Sequence, residues 1–261
     1  MPKKLYIYII TLIVLVGITI YFLKKENKPA KKYYEEWIQI ERFRQQNLPD
    51  SMLSKINYIY HAASKEKNYE QVVKAIVYQV NHIGYNNNIR PFIVENYDNT
   101  IELLKKEAEI LPQPSRSIIY SIIGQMYETY YDQHARSINS RTYVTVNLED
   151  IHTWSAQKII EEAIHYYNLS LKEKRILQET KISDYREVIT SSSSIFYQPT
   201  LYDLLARRAL SFYASSFNTN VLYDDFIIND PDYFADAKTF VKKKIPVSDA
   251  NSPAYLSLKT Y

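Results

Sequence analysis

The fold class is decided by the stretch Gln198-Pro-Thr-Leu-Tyr-Asp-Leu-Leu-Ala-Arg-Arg-Ala-Leu-Ser-Phe-Tyr213. Its proline interrupts any helix before it, and the hydroxyl of Thr200 can then cap a new first turn. Asp203 lies three residues later, where its carboxylate can accept a hydrogen bond from the backbone N–H of the capping residue. The stretch therefore predicts a helix over residues 200–216. Its apolar face consists of Leu201, Leu204, Leu205 and Phe212.

Glycine is unusually rare in this chain, with 3 residues among 261. Tight β-hairpin turns depend on residues that tolerate positive φ, glycine above all, so this scarcity disfavours a β-rich fold. The hydrophobic share of 46% and the charged share of 23% are those of an ordinary globular chain. We therefore predict an all-α fold.

Prolines and clusters of polar residues divide the rest of the chain into helical blocks. One face of the fourth block carries Tyr97, Ile101, Leu104 and Ala108 at helical spacing. Thr153 is the predicted cap of the sixth block, which follows a predicted loop over residues 134–152. Within that loop, residues 142–147 alternate β-branched side chains and are expected to be extended. The predicted helices span residues 32–47, 51–67, 68–83, 91–112, 115–131, 153–174, 183–190, 200–216 and 231–241.

Helices joined by short loops pack as antiparallel neighbours, so we expect stacked antiparallel helical hairpins. They resemble tetratricopeptide hairpins but are irregular, because no repeat of fixed period is visible. Residues 31–220 form this hairpin domain, residues 1–30 a membrane anchor or signal segment, and residues 221–261 the start of a further helical segment. We expect the chain to be truncated there, because Tyr255, Leu256 and Leu258 have too little chain after them to pack well.

The segment Leu5 to Leu23 is predicted to enter a membrane, because its 19 residues include no charged side chain. As a helix it would span about 28 Å, close to the thickness of a bilayer's hydrocarbon core. Gly17-Ile-Thr19 is a poor match to the small residues of a cleavage site and Tyr21-Phe-Leu a worse one, so an uncleaved transmembrane anchor is favoured over a signal peptide. The lysines that follow it favour a cytoplasmic body under the positive-inside rule. The Lys-Lys pair that precedes it is typical of an export signal, which favours a periplasmic body.

The charge distribution excludes a nucleic-acid-binding body. Residues 1–28 hold 5 lysines and 1 glutamate, which leaves 27 basic and 28 acidic residues and a net charge of −1 for the rest. Neutralising phosphates requires an excess of basic side chains, which this body lacks. The chain also has no cysteine, so thiol catalysis, cysteine-ligated zinc and a thioester are excluded.

Several spacings that could carry chemistry are better explained by structure. Glu162 and His165 have the Glu-x-x-His spacing of di-iron bundles, but no second copy or facing carboxylates accompany them. Asp132 and His134 lie near Ser137 and Ser140, which we attribute to a serine-rich loop, since proximity in sequence does not make a triad. We expect the Arg207-Arg208 pair to bind Asp203 or an acid on a facing helix. No catalytic, cofactor-binding or metal-binding residue is predicted.

A second stretch, Arg141-Thr-Tyr-Val-Thr-Val-Asn-Leu-Glu-Asp-Ile-His-Thr-Trp154, is informative together with Gln198–Tyr213. Within it, we expect Trp154 to anchor in the core and Arg141 to tie the loop down. The two stretches, supported by Ser115 to His134, resemble the N-terminal helical region of bacterial, Bacteroidetes-type alpha-2-macroglobulin proteins. The resemblance covers most of residues 33–261.

This resemblance implies an exported protein anchored in the inner membrane, with its body in the periplasm. Macroglobulin domains beyond this chain would trap proteases, and the chain itself would be a scaffold or docking part rather than an enzyme. It would hold neither the bait segment nor the thioester of that family. The alternative is a self-contained helical-repeat adaptor that binds a peptide or protein partner in its groove.

Overall fold

The structure is a computed structural model that describes residues 32–85, 97–141, 150–188 and 199–214, with positions 231, 235–240, 242, 256–257 and 260. Within these residues the regular elements are all helical, and the β-type pairing is limited to one antiparallel bridge between Lys181 and Thr200. The prediction of an all-α fold is confirmed. The chain divides between Asn68 and Tyr69 into two compact units.

The first unit contains a helical hairpin of α1 (Tyr34–Gln45) and α2 (Pro49–Lys65). Each helix ends on a residue with left-handed backbone, Asn47 at φ 55° and Lys67 at φ 56°. The N–H groups that follow these residues bond back five residues, each with an N···O distance of 2.9 Å, as in a Schellman cap. The core of the hairpin consists of Tyr33, Trp37, Ile40, Met52, Ile56, Ile59 and Ala63.

The second unit is built around α5 (Ser115–Ile138), whose 24 residues make it the longest described helix. The other helices described in this unit are α3 (Tyr69–Tyr85), α4 (Tyr97–Ile110), α6 (Ala156–Leu171), α7 (Lys174–Glu179), α8 (Leu201–Ala214) and α9 (Ala237–Phe240). Helix α5 packs against α3, α4, α6 and α8, and α8 also contacts α6 and α7. Two short 3-10 turns, Ile151–Thr153 and Ile182–Tyr185, lie between the helices.

A glycine sets the close approach of α5 to α6. A Cβ atom added at Gly124 would lie 3.0 Å from Cδ2 of Tyr167, closer than ordinary van der Waals contact. The Tyr167 side chain is 2% exposed, and its ring lies 5.0 Å from that of Phe212 on α8. Gly124 therefore permits this close packing, because a Cβ atom there would require the Tyr167 ring to shift by a few tenths of an ångström.

Two predicted helices match the structure in their details. At the start of α8, the N–H of Asp203 donates to Thr200 Oγ1 at 3.2 Å, and the N–H of Thr200 donates to Asp203 Oδ2 at 3.0 Å. The predicted reciprocal cap is confirmed. Three of the four predicted inward residues of α8 are buried, with Leu204 half-buried. All four of α4 are buried, namely Tyr97, Ile101, Leu104 and Ala108.

Three predicted boundaries are wrong. Helix α5 continues to Ile138, which is fully buried, so His134 and Ser137 are helical rather than part of a loop. Ser155 caps α6 by accepting from the N–H of Lys158 at 3.3 Å, because a 3-10 turn occupies the residues up to Thr153. The helix predicted over residues 183–190 is replaced by the 3-10 turn Ile182–Tyr185 and further turn residues.

The C-terminal prediction also needs a correction at one residue. Leu256 is 3% exposed, so it packs despite the few residues that follow it. Among the described residues, no helix combines the length and the hydrophobicity needed to cross a bilayer. The predicted anchor Leu5 to Leu23, the predicted extended residues 142–147 and the neighbours Tyr255 and Leu258 lie outside the described residues.

Candidate functional site

Glu162 and His165, the Glu-x-x-His pair on α6, contact nearby side chains of the same helix. Lys158 Nζ donates to Glu162 Oε1 at 2.7 Å, an i,i+4 ion pair on one helix face. His165 is exposed, and its ring makes an edge contact with Tyr166 at a centroid distance of 5.1 Å. Within the part of the chain that the structure describes, His165 belongs to no group of acidic and histidine side chains that could hold a metal ion.

The serine and histidine side chains near the end of α5 form local backbone bonds. Ser137 Oγ donates to the His134 carbonyl at 3.0 Å, and Ser140 Oγ donates to the Ser137 carbonyl at 2.8 Å. His134 Nδ1 lies 2.9 Å from the Tyr130 carbonyl. The hydroxyls of Ser137 and Ser140 therefore donate to the backbone, and neither is bonded to the His134 ring as a nucleophile would be to its base.

Arg208 joins α8 to α5. Its Nε donates to Ser121 Oγ at 2.9 Å, and its Nη2 donates to Gln125 Oε1 at 2.6 Å. Asp203 is bound in the cap of α8, and the acceptors that the structure shows for Arg208 are these two neutral side chains rather than the predicted acid. Arg207 is exposed. The pair thus has one arginine that fastens two helices and one that faces solvent.

Arg141 fastens the two ends of the 141–154 stretch, as predicted. Its Nη1 donates to the Trp154 carbonyl at 2.9 Å. The Trp154 side chain is half-buried and stacks on Tyr127, with centroids 5.9 Å apart and planes at 14°. Lys158 Nζ covers the Trp154 ring at 5.4 Å from its centroid. Trp154 is thereby held against α5 by its stack on Tyr127 and against α6 by Lys158.

The described residues contain one group of acidic and histidine side chains that could hold a metal ion, namely Asp98, Asp150 and His152. One ligand atom from each lies within 4.8 Å of the others. Asp98 Oδ1 accepts from the N–H of Ile151 at 3.1 Å, and Asp150 Oδ1 accepts from the N–H of His152 at 2.8 Å. His152 Nδ1 lies 3.0 Å from the hydroxyl of Tyr130.

Every member of this group already has a structural bond. The carboxylate of Asp98, in the first turn of α4, caps the 3-10 turn that begins at Ile151, and Asp150 caps it locally. The Tyr130 side chain is fully buried, and burial raises the pKa of its phenol, which therefore stays protonated. The arrangement is a polar clasp between α4, α5 and the 3-10 turn. Sequence reasoning missed it because Asp98 is remote in sequence and belongs to no motif.

Comparisons with known proteins assign no role to these residues. No protein-family model, no curated protein and no solved structure matches the chain.

Proposed function

We propose that this chain is the membrane-anchored helical N-terminal region of an alpha-2-macroglobulin-like cell-envelope protein. Its own role is that of a scaffold or docking part, without catalysis. The resemblance of residues 141–154 and 198–213 to that family motivates the proposal. The chain has no cysteine and therefore cannot form a thioester. Within the whole protein, the domains that bind proteases would lie outside these residues.

The observation that carries the scaffold role is the use of the polar side chains in the two stretches. Arg141 holds the Trp154 carbonyl, Thr200 and Asp203 cap α8, and Arg208 binds polar side chains of α5. Each of these polar groups is thus bonded within the fold: one closes a loop, one pair begins a helix and one arginine joins two helices. Neighbouring α4, α5 and α6 pack in chain order, which supports a tetratricopeptide-like succession of hairpins.

The anchor and the periplasmic location complete the proposal. Leu5 to Leu23 would hold the chain in the inner membrane, and the body would lie on the periplasmic side. Because the chain has no cysteine, one introduced thiol reports its side of the membrane. The side chain of Arg175 is 90% exposed, so Arg175→Cys should react with a membrane-impermeant maleimide in spheroplasts. Labelling only after lysis would place the body in the cytoplasm and contradict the proposal.

A second experiment separates the proposed region from a self-contained adaptor. An antibody against residues 150–188 should detect a membrane-bound polypeptide much larger than 30.9 kDa in cells that make the protein naturally. A single species of the chain's own mass would favour the helical-repeat adaptor.

One structural observation favours the adaptor. Ile110 of α4 is 70% exposed and Leu103, two turns earlier, is 37% exposed. Exposed apolar side chains of this kind are suited to contact with a partner protein.

A further inference from the structure

The polar clasp of Asp98, Asp150 and His152 uses only part of the bonding capacity of its side chains. Each aspartate accepts a backbone N–H through Oδ1. An ionised carboxylate has about four lone-pair positions on its two oxygens, so both aspartates keep acceptor positions after these bonds. An imidazole has two ring nitrogens, and the contact of His152 with Tyr130 involves Nδ1. The three side chains can therefore support the fold and still bind a further group.

The two carboxylates carry a negative charge that no ion pair of the described residues neutralises. Those ion pairs join lysine or arginine to glutamate side chains, and none of them includes Asp98 or Asp150. One oxygen of each aspartate nevertheless lies within 4.8 Å of the other and of a ring nitrogen of His152. Like charges at this distance repel, and a cation placed between them is attracted to both. The local charge therefore favours a positively charged ligand.

The histidine determines which kind of cation fits. Ca²⁺ and Mg²⁺ take oxygen ligands, whereas an imidazole nitrogen suits Zn²⁺ and the transition metals close to it. Zinc sites combine histidine with aspartate, and a site with three protein ligands completes its coordination with water. Two ionised aspartates and a neutral histidine also match the charge of a divalent ion. The donor set of the clasp is therefore that of a zinc site.

The hydroxyl of Tyr130 prepares the ring of His152 for this role. It donates to the Ile151 carbonyl at 3.5 Å, so its oxygen can accept from the ring N–H at Nδ1, 3.0 Å away. A neutral imidazole that donates through one nitrogen carries its free lone pair on the other. Metal-bound histidines usually hold their second ring N–H in such a bond. Because Tyr130 is fully buried on α5, it gives the histidine a fixed partner.

We propose that Asp98, Asp150 and His152 bind one Zn²⁺ ion, with water in the remaining coordination position. The ion joins the first turn of α4 to the 3-10 turn Ile151–Thr153 and strengthens the clasp. Asp150 and His152 are exposed, so their side chains can close to the separation of about 3.3 Å between tetrahedral zinc ligands. This inference does not depend on the proposed function, because it concerns only residues of the second unit.

Zinc binding is measured on the full chain, without a histidine tag, in mild detergent after a chelator has removed bound metals. Titration calorimetry with zinc chloride should show saturation at one ion per chain. Asp98→Asn keeps an amide oxygen for the Ile151 N–H but removes a charged ligand, so it tests the ion separately from the cap. We expect Asp98→Asn and His152→Gln each to weaken zinc binding at least about tenfold. His165→Gln is the matched control, because it removes an exposed histidine outside the clasp, and it should bind zinc as the parent does.

Two further measurements complete the test. Zinc should raise the midpoint of thermal unfolding of the parent and of His165→Gln, but not of Asp98→Asn. If the variants do not fold, as judged by circular dichroism, X-ray absorption of the zinc-loaded parent decides the question. It should show one imidazole nitrogen and oxygen ligands at about 2.0–2.2 Å. Two or more imidazoles around the ion, no saturation at one ion per chain, or parent-like zinc binding by a folded Asp98→Asn or His152→Gln variant would each overturn the inference.

Discussion

Replacing Gly124 by alanine tests the packing of α5 on α6. The new methyl carbon would lie 3.0 to 3.2 Å from three carbons of the Tyr167 ring. That ring cannot retreat freely, because it packs on Phe212 and its hydroxyl donates to Glu128 at 2.7 Å. Overpacking of this kind costs about 1–3 kcal/mol, whereas the exchange of glycine for alanine within a helix gains about 1 kcal/mol. We expect Gly124→Ala to lower the free energy of unfolding by up to about 2 kcal/mol.

The double-mutant cycle with Tyr167→Leu isolates the contact from the helix propensity. In the leucine background the ring is gone, so Gly124→Ala should stabilise by about 1 kcal/mol. Urea unfolding of the full chain in mild detergent, followed by circular dichroism, gives the four free energies. A coupling of about 1–3 kcal/mol is expected from the relief of overpacking. Equal effects of Gly124→Ala in both backgrounds would refute the assignment of this glycine to close packing.

Three further predictions concern two helix ends and a half-buried acid, Glu128. Thr200→Val removes the hydroxyl that accepts from the Asp203 N–H and should destabilise α8 by about 1 kcal/mol, seen as faster amide exchange in that helix. Lys67→Gly relieves the left-handed backbone at the end of α2 and should raise the free energy of unfolding by about 1 kcal/mol, seen as a higher urea midpoint. Burial raises the pKa of Glu128, so its ionisation opposes folding as pH rises from about 4.3, the pKa of an unfolded glutamate. Glu128→Gln, whose amide oxygen can still accept from Tyr167, should therefore gain stability relative to the parent as the pH rises above about 4.3, and a pH-independent difference in unfolding curves would contradict this.

The parts of the fold that could be predicted are those that local chemistry determines. The reciprocal bonds of Thr200 and Asp203 follow from a spacing of three residues, and the buried face of α4 follows from helical periodicity. The end of α5 could not be predicted, because Ser137 and its polar neighbours resemble a loop when seen in sequence. The burial of Ile138, which belongs to the tertiary packing, extends the helix through them.

The polar clasp could not be predicted because its members meet only after α4 and α5 have packed. Asp98 caps the turn at Ile151 across 53 residues of sequence, and no short motif encodes a distant cap. Asp150 alone could have been found, since its bond to the N–H of His152 is a local turn pattern. Asp98, whose hydrogen bond joins distant parts of the chain, is therefore the aspartate that no local pattern predicts.

The scarcity of glycine accounts for how polar side chains are used in this chain. Without glycine, helix ends and turns must satisfy their free N–H and C=O groups through other residues. Asn47 and Lys67 take the left-handed positions at the ends of α1 and α2, Asp98 caps a turn, and Arg141 binds a loop carbonyl. The hydrogen bonds of Asp98 and Arg141 thus do in this chain what glycine-rich turns do elsewhere, because they satisfy backbone groups at the ends of turns.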